Sequence, residues 1–165
     1  MKISCQMSSR KDSVNPFSES EFAIRDFVRG IPEVAGFFGD ASQVFAASQE
    51  DFGSKLKSML AGSFGTGVCV STEGTSGSVW RESNGRLSDE SRFKVDVKTS
   101  LVLSAERKLS GTDVAAAIIR ELDGTIFVEP FHPSDCVRYT GTEIADYDDM
   151  TRIVTVRFTA RIFLN

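Results

Sequence analysis

The chain contains a single histidine, and its neighbours define the first candidate site. His132 stands four residues before Cys136, with Asp135 between them, and all three side-chain types can bind metal ions. A metal site needs further ligands at matching spacing, and none is evident here. A Ser–His–Asp arrangement would need the same imidazole as its base, but no G-x-S-x-G elbow is present. His132 lies between Pro130 and Pro133, which is typical of a surface turn.

Two other patterns resemble catalytic or phosphate-binding motifs. Ser54 and Lys57 form an S-x-x-K pair, but they fall inside an amphipathic segment, and no S-D-N or K-T-G segment accompanies them. Gly62, Gly65 and Gly67 resemble a phosphate-binding loop. Such a loop follows a strand and opens a helix, whereas the order here is reversed. The sequence therefore predicts no catalytic residue and no cofactor.

Three acidic residues near the C-terminus could attract a hard cation. Asp146, Asp148 and Asp149 supply carboxylates, which are ligands for calcium. An EF-hand loop also requires a glycine at its sharp turn and a distal glutamate, and both are missing. We interpret these residues as a solvated hairpin tip and predict no metal site.

The charge pattern argues against nucleic acid as the principal partner. The 165 residues carry a net charge of -4, and no four Lys or Arg are adjacent. A nucleic-acid surface needs a basic footprint that displaces phosphate counterions. A stripe formed by Arg152, Arg157 and Arg161 leaves a local exception open, but no nucleic-acid specificity is predicted.

Cysteine use and hydropathy predict a reducing compartment and no membrane span. Cys5, Cys69 and Cys136 are an odd number at wide spacing, without a C-x-x-C pair. No run of about 18 apolar residues occurs, and the start of the chain is polar rather than signal-like. We expect a cytoplasmic origin.

Three helices are predicted from caps and apolar periodicity. The first begins with Ser18 as its N-cap and Glu21 completing a capping box. The second extends from about 48 to 62, and the third covers 111–123. Between the first two, Phe37 and Phe38 lie between glycines, which predicts a packed turn, and a short strand is expected at 43–47.

Alternating residues predict long strands and two hairpins. A strand is expected near 66–73, and Asn84–Gly85 predicts a turn that pairs 79–82 with the residues after Arg86. The clearest alternation covers 93–105. The segments 136–146 and 151–164 predict a terminal hairpin.

These elements predict an α+β fold, in which a mostly antiparallel sheet with long strands packs against two or three helices on one face. We expect residues 1–16 to be a loosely ordered lead-in and 17–165 to form a single domain. Residues 74–92, rich in Gly and Ser at their start, are expected to form a loop or hairpin excursion.

The order of elements resembles that of bacteriophage tail terminator and tail completion proteins, and of related minor tail proteins in prophages. The features that carry this resemblance are the long strand Phe93–Ala105, the Ala-rich helix Thr112–Asp123 and the closing segment TRIVTVRFTARIFL at 151–164. The resemblance implies a non-enzymatic structural protein. It would form a homo-oligomeric ring, commonly a hexamer, that caps the tail tube and joins it to the head.

The same resemblance implies the partners and the location. The partners would be tail tube and head–tail connector proteins, and the chain would be in the bacterial cytoplasm during assembly and in the virion tail afterwards. Trp and Arg are enriched among interface anchors. The candidate interface residues are therefore Trp80, Arg81, Arg86, Arg157 and Arg161, and ring contacts are expected from the long strands and from 74–92.

Two other classes of function stay open. One is a small cytosolic adaptor or ligand-binding protein. The other is a small enzyme, which would need a pocket with His132 or a perturbed acid, or a pair of carboxylates that meet in space.

Overall fold

The computed structural model of the chain describes residues 15–165. The predicted lead-in 1–16 therefore falls almost entirely outside the described residues, apart from Asn15 and Pro16. The helices are α1 (Pro16–Arg29), α2 (Pro32–Phe38), α3 (Phe52–Met59), α4 (Leu101–Arg107) and α5 (Gly111–Leu122). The strands are β1 (Val44–Ala46), β2 (Gly67–Thr75), β3 (Trp80–Arg81), β4 (Leu87–Ser100), β5 (Arg138–Asp146) and β6 (Thr151–Phe163).

The strands form one sheet in the order β1-β2-β4-β6-β5, and β3 pairs with β4 beside the end of β2. The pair β1–β2 is parallel and the other pairs are antiparallel. Apolar residues match across the register, as in the row Val70, Val95 and Val156. The predicted α+β fold with a mostly antiparallel sheet of long strands is confirmed.

The principal core lies between one face of the sheet and three helices. Its residues are apolar at helical spacing on α1, α2 and α5 and at alternate positions on the strands, among them Ile24, Val28, Val34, Phe37, Val114, Ile118, Leu122, Phe93 and Phe158. On the opposite face, α3 covers the β1–β2 side, where Met59 packs with Phe45 and Cys69, and with its following turn it also covers Lys98 near the end of β4. We call the remaining uncovered part of that face, on β4, β5 and β6, the open face.

The strand predicted at 93–105 is wrong at its C-terminal end. β4 stops at Ser100, whose hydroxyl accepts a hydrogen bond from the backbone N–H of Leu103 (3.1 Å) and so caps α4. Leu101 and Leu103 continued the alternation only by coincidence. The strand also starts earlier than predicted, at Leu87, because β6 pairs with the polar residues that precede Phe93.

The N-terminal helices also differ from the prediction. Phe37 and Phe38, predicted in a turn, are buried on α2, which Gly39 ends at a φ of 76°. α1 starts at Pro16 because Asn15, not Ser18, is the N-cap. Glu21 does not form a capping box.

The Glu21 carboxylate is buried, and it accepts hydrogen bonds from the backbone N–H groups of Ser48 (2.9 Å) and Thr72 (2.8 Å). The second predicted helix is shorter than expected, since α3 covers only Phe52–Met59.

The remaining element predictions are confirmed. The short strand is β1, and α5 carries a capping box formed by Ser110 and Asp113. Gly85 has a φ of 85° in the turn that pairs β3 with β4. β5 and β6 form the terminal hairpin. Within residues 15–165, no helix is long and apolar enough to cross a membrane.

Candidate assembly surface

The first two predicted interface residues lie together on the short strand β3. The Trp80 side chain is 64% exposed, and Arg81 is exposed beside it, with its guanidinium donating to the backbone oxygen of Gly85 (3.1 Å). Val79, the preceding residue, is also exposed. The structure therefore places an apolar projection at this hairpin, and its interface role stays a prediction.

Arg86 is engaged within the chain rather than free. Its guanidinium lies 3.8 Å from the ring centroid of Phe163, donates to the backbone oxygen of Asn165 (3.0 Å) and pairs with Glu129 (2.7 Å). These contacts join the start of β4 to the end of β6. Arg86 therefore fixes the last described residues of the chain against the start of β4.

Arg157 and Arg161 lie on the open face of β6 and are also paired. Arg157 contacts Glu73 at 3.2 Å and Glu143 at 3.8 Å. Arg161 donates to the backbone oxygen of Ser78 (3.0 Å) and to the hydroxyl of Ser88 (3.1 Å). Acidic side chains therefore balance Arg157, while neutral oxygens hold Arg161, and the two do not form a free basic stripe.

His132 is part of a hydrogen-bonded link between two loops. Its Nδ1 accepts the backbone N–H of Ser134 (3.1 Å), so the neutral ring carries its proton on Nε2 and donates to Glu82 (3.0 Å). Glu82 also accepts the Ser88 hydroxyl (2.8 Å). The bonds from His132 and Ser88 hold the pKa of the Glu82 carboxyl below its usual value. Both imidazole nitrogens therefore serve structural bonds.

Asp135, the acid next to His132, organises the same region. It accepts the backbone N–H of Arg161 (2.8 Å) and pairs with Arg138, which also contacts Glu90 at 3.0 Å. Burial tends to raise the pKa of the Asp135 carboxyl, but these hydrogen bonds outweigh it and leave the pKa lowered. Within residues 15–165, no cluster of three or more His, Cys, Asp or Glu side chains could hold a metal ion.

The other motif-like residues have structural roles. Ser54 and Lys57 are both exposed on α3. Gly62 is in the turn after that helix, with a φ of 57°. Asp148 accepts the Met150 N–H and the Thr151 hydroxyl, each at 2.8 Å, as expected at a hairpin tip.

Lys98 is a buried cation that sequence reasoning missed. Its side chain has no exposed surface, and its ammonium donates to the backbone oxygens of Met59 (3.0 Å) and Gly62 (2.7 Å), over the ring of Tyr147 (4.3 Å). Desolvation lowers its pKa, and the nearby Asp148 opposes that shift. By its position in the alternation of 93–105, among Lys94 and Asp96, Lys98 falls on the polar side of the strand, which is typically exposed to solvent. Only the position of α3 shows that this face is covered here.

The outer edge of β5 is open along most of its length. Along an antiparallel strand, every second residue bonds to the partner strand and the residues between them face outward. The Tyr147 N–H donates to the Thr151 oxygen (3.0 Å), which shows which residues of β5 bond to β6. Thr142, Ile144 and Asp146 therefore direct their backbone N–H and C=O groups away from β6. Within residues 15–165, no group hydrogen-bonds to these outward atoms. We call this stretch, 142–146, the β5 edge.

The opposite edge of the sheet is closed by side chains. The Arg29 guanidinium donates to the outward backbone oxygen of Val44 at 2.7 and 3.0 Å. The Gln49 side-chain oxygen accepts the outward N–H of Ala46 (2.8 Å). β1 therefore offers no vacant position to another strand, and the β5 edge is the long unpaired edge of the described sheet.

Exposed apolar side chains accompany the β5 edge. Ile144 is 51% exposed and Tyr139 is partly exposed, although both lie opposite core residues of β6. Ile126 and Val128 are exposed in the segment before β5. A separate group lies at the hairpin end of the sheet, where Phe64 is 93% exposed. Surface of this kind is typical of an interaction site.

Comparison with solved structures finds a chain of similar fold. A chain in the structure of the virion of a native gene transfer agent particle aligns with a TM-score of 0.54 at 15% identity. The alignment covers 87% of this chain and 93% of that chain. No protein-family model matches, and the search of curated proteins gave no match. At this identity the likeness shows a shared fold.

Proposed function

We propose that this chain is a structural component of a phage-type particle. The observation that carries the proposal is the near-complete alignment, in both directions, with a chain of a virion. The proposal assigns no catalytic residue and no cofactor, and it gives His132 and Asp135 structural roles.

The finer proposal is a tail terminator or tail completion role. In this role, copies of the chain form a ring, commonly a hexamer, between the tail tube and the head–tail connector proteins. The ring assembles in the bacterial cytoplasm and stays in the virion tail. The open β5 edge, the exposed Trp80 and the unusually exposed Phe64 supply surfaces that such neighbours could cover.

The test is removal of the gene from a bacterial host that produces the particle. We expect heads and tails to accumulate unjoined in electron micrographs, and a plasmid copy to restore joined particles. Immunogold labelling of a tagged copy should then mark the head–tail junction. Normal particles after deletion, or label absent from purified particles, would contradict the proposal.

A further inference from the structure

The proposed ring requires two different complementary surfaces on each copy. Head-to-tail contacts close into rings, whereas a surface that pairs with itself produces a two-fold dimer. Among the described strands the β5 edge has no long complementary edge to meet, because Arg29 and Gln49 close β1, Glu21 takes the outward N–H of Thr72 on β2, and β3 is only two residues long. β5–β5 pairing would stop at two copies. A ring built through the β5 edge therefore needs a donor outside the described strands.

The first eight residues have the pattern of such a donor. Apolar and polar residues alternate without interruption: Met1, Ile3, Cys5 and Met7 against Lys2, Ser4, Gln6 and Ser8. Strict alternation over this length is the pattern of a strand with one apolar face. We call residues 1–8 the arm; they precede the described part of the chain.

The two faces of the sheet at the β5 edge, one apolar and one polar, match the two faces of the arm. Ile144 and Tyr139 extend the apolar layer on the helix side of the sheet, and both are left partly uncovered. Glu143 points to the open face. An added strand with its odd residues on the helix side covers Ile144 and carries Lys2 on the same face as Glu143.

Charge and length favour the same pairing. Residues 1–14 contain three basic residues and one acidic residue, whereas 138–149 contain one basic and four acidic residues. Fourteen residues span up to about 45 Å when extended, which is enough to reach an adjacent molecule. Residues 9–14 join the arm to the described chain, which begins at Asn15, and Pro16 lies beside the end of β6.

We propose that the arm of one copy adds as a strand to the β5 edge of the neighbouring copy and so links the ring. The proposal rests on the ring of the proposed function. Each copy is both donor and acceptor, and the contact repeats in one direction until the ring closes.

Disulfide trapping tests the contact directly, with the full-length chain. In a Cys136→Ser background, Thr142→Cys and Ile144→Cys are each oxidised with copper–phenanthroline, and the products are separated without reductant. We expect covalent dimers and higher multimers that disappear when Cys5 is also replaced by Ser. Glu143→Cys, which lies on the other face of β5, should give at least fivefold less product.

Three results would overturn the inference. One is a product confined to single chains, which would place the arm on its own β5. Another is cross-linking that persists without Cys5, which would show β5–β5 pairing. The third is no Cys5-dependent product at either position.

A proline substitution supplies an independent measurement. Thr142→Pro removes an outward N–H without breaking a bond to β6, so the fold is retained while strand addition is blocked. Light scattering should show loss of species above the monomer mass for Thr142→Pro but not for Thr142→Ala. Equal masses for both variants, with circular dichroism unchanged, would contradict the proposal.

The outcome is separable from that of the proposed function. A chain that marks the head–tail junction but gives no trapped product refutes only the arm contact. A trapped ring that is absent from purified particles refutes only the virion role.

Discussion

At the scale of single residues, whether a polar side chain of the sheet is buried or exposed depends on which element packs over it. Lys98 and Lys94 occupy equivalent positions of the alternation on β4, yet Lys98 is buried while Lys94 is partly exposed beside Asp96. α3 and its following turn make the difference, because Met59 and Gly62 supply carbonyl oxygens for the Lys98 ammonium.

Replacing Lys98 by Met tests this role. The aliphatic stem is kept, but the buried Met59 oxygen and the partly buried Gly62 oxygen lose their donor, so we expect the free energy of unfolding to fall by about 1–3 kcal/mol. Urea denaturation measures the difference. Lys57→Met, at an exposed position of α3, is the control and should change stability little. Equal stability of the two variants would show that the ammonium contributes nothing net.

The pair of Glu82 and His132 makes a prediction about pH. Because the folded-state pKa of Glu82 is lowered, its carboxylate stabilises the fold above the usual carboxyl pKa. That contribution is lost as the pH falls through the lowered value. Glu82→Gln should therefore destabilise the protein at pH 7, and the difference from wild type should shrink towards pH 3.

Denaturation curves at several pH values measure this dependence. Glu106→Gln, at an exposed site on α4, is the matched control and should give a small difference without a trend. A Glu82→Gln difference that stays constant from pH 7 to pH 3 would rule out the linkage.

At the scale of elements, Ser100 sets the boundary between β4 and α4. Removing an N-cap hydroxyl typically costs about 1 kcal/mol. We expect Ser100→Ala to lower stability by about that amount and to speed amide exchange in 101–107. Ser104→Ala, within the same helix, should leave exchange unchanged. Unaltered exchange in Ser100→Ala would show that packing alone holds α4.

The sequence predicted those elements in which the caps and the apolar periodicity match the residues that the fold buries. α5 has a capping box and a single apolar stripe, and β6 alternates from end to end, so both were predicted correctly. α2 was missed because seven residues with Gly36 and two adjacent Phe give no clear periodicity. The boundary at Ser100 was missed because the alternation of apolar and polar residues continues into the helix. Ser100 is also one of several polar residues in this segment, so nothing in the sequence marks it as the N-cap.

At the scale of the whole molecule, the candidate surface depends on strand order, which the sequence did not predict. Trp80 and the arginines could be selected by residue type, but which strand lies at an edge is decided by pairing between distant segments. β5 and β6 were predicted as a hairpin, yet only the full sheet order shows that β6 is central and β5 is exposed. The pairing of Arg157 with Glu73 on β2 is likewise a consequence of tertiary structure.

The closure of β1 by Arg29 and Gln49 has a consequence for behaviour at high concentration. A sheet with two vacant borders can stack copy upon copy without limit, which is how fibrils grow. Here one border is sealed by side chains that belong to the fold itself. In the described sheet the long vacant edge is that of β5, so direct edge-to-edge pairing of crowded copies stops at two rather than continuing into cross-β deposits.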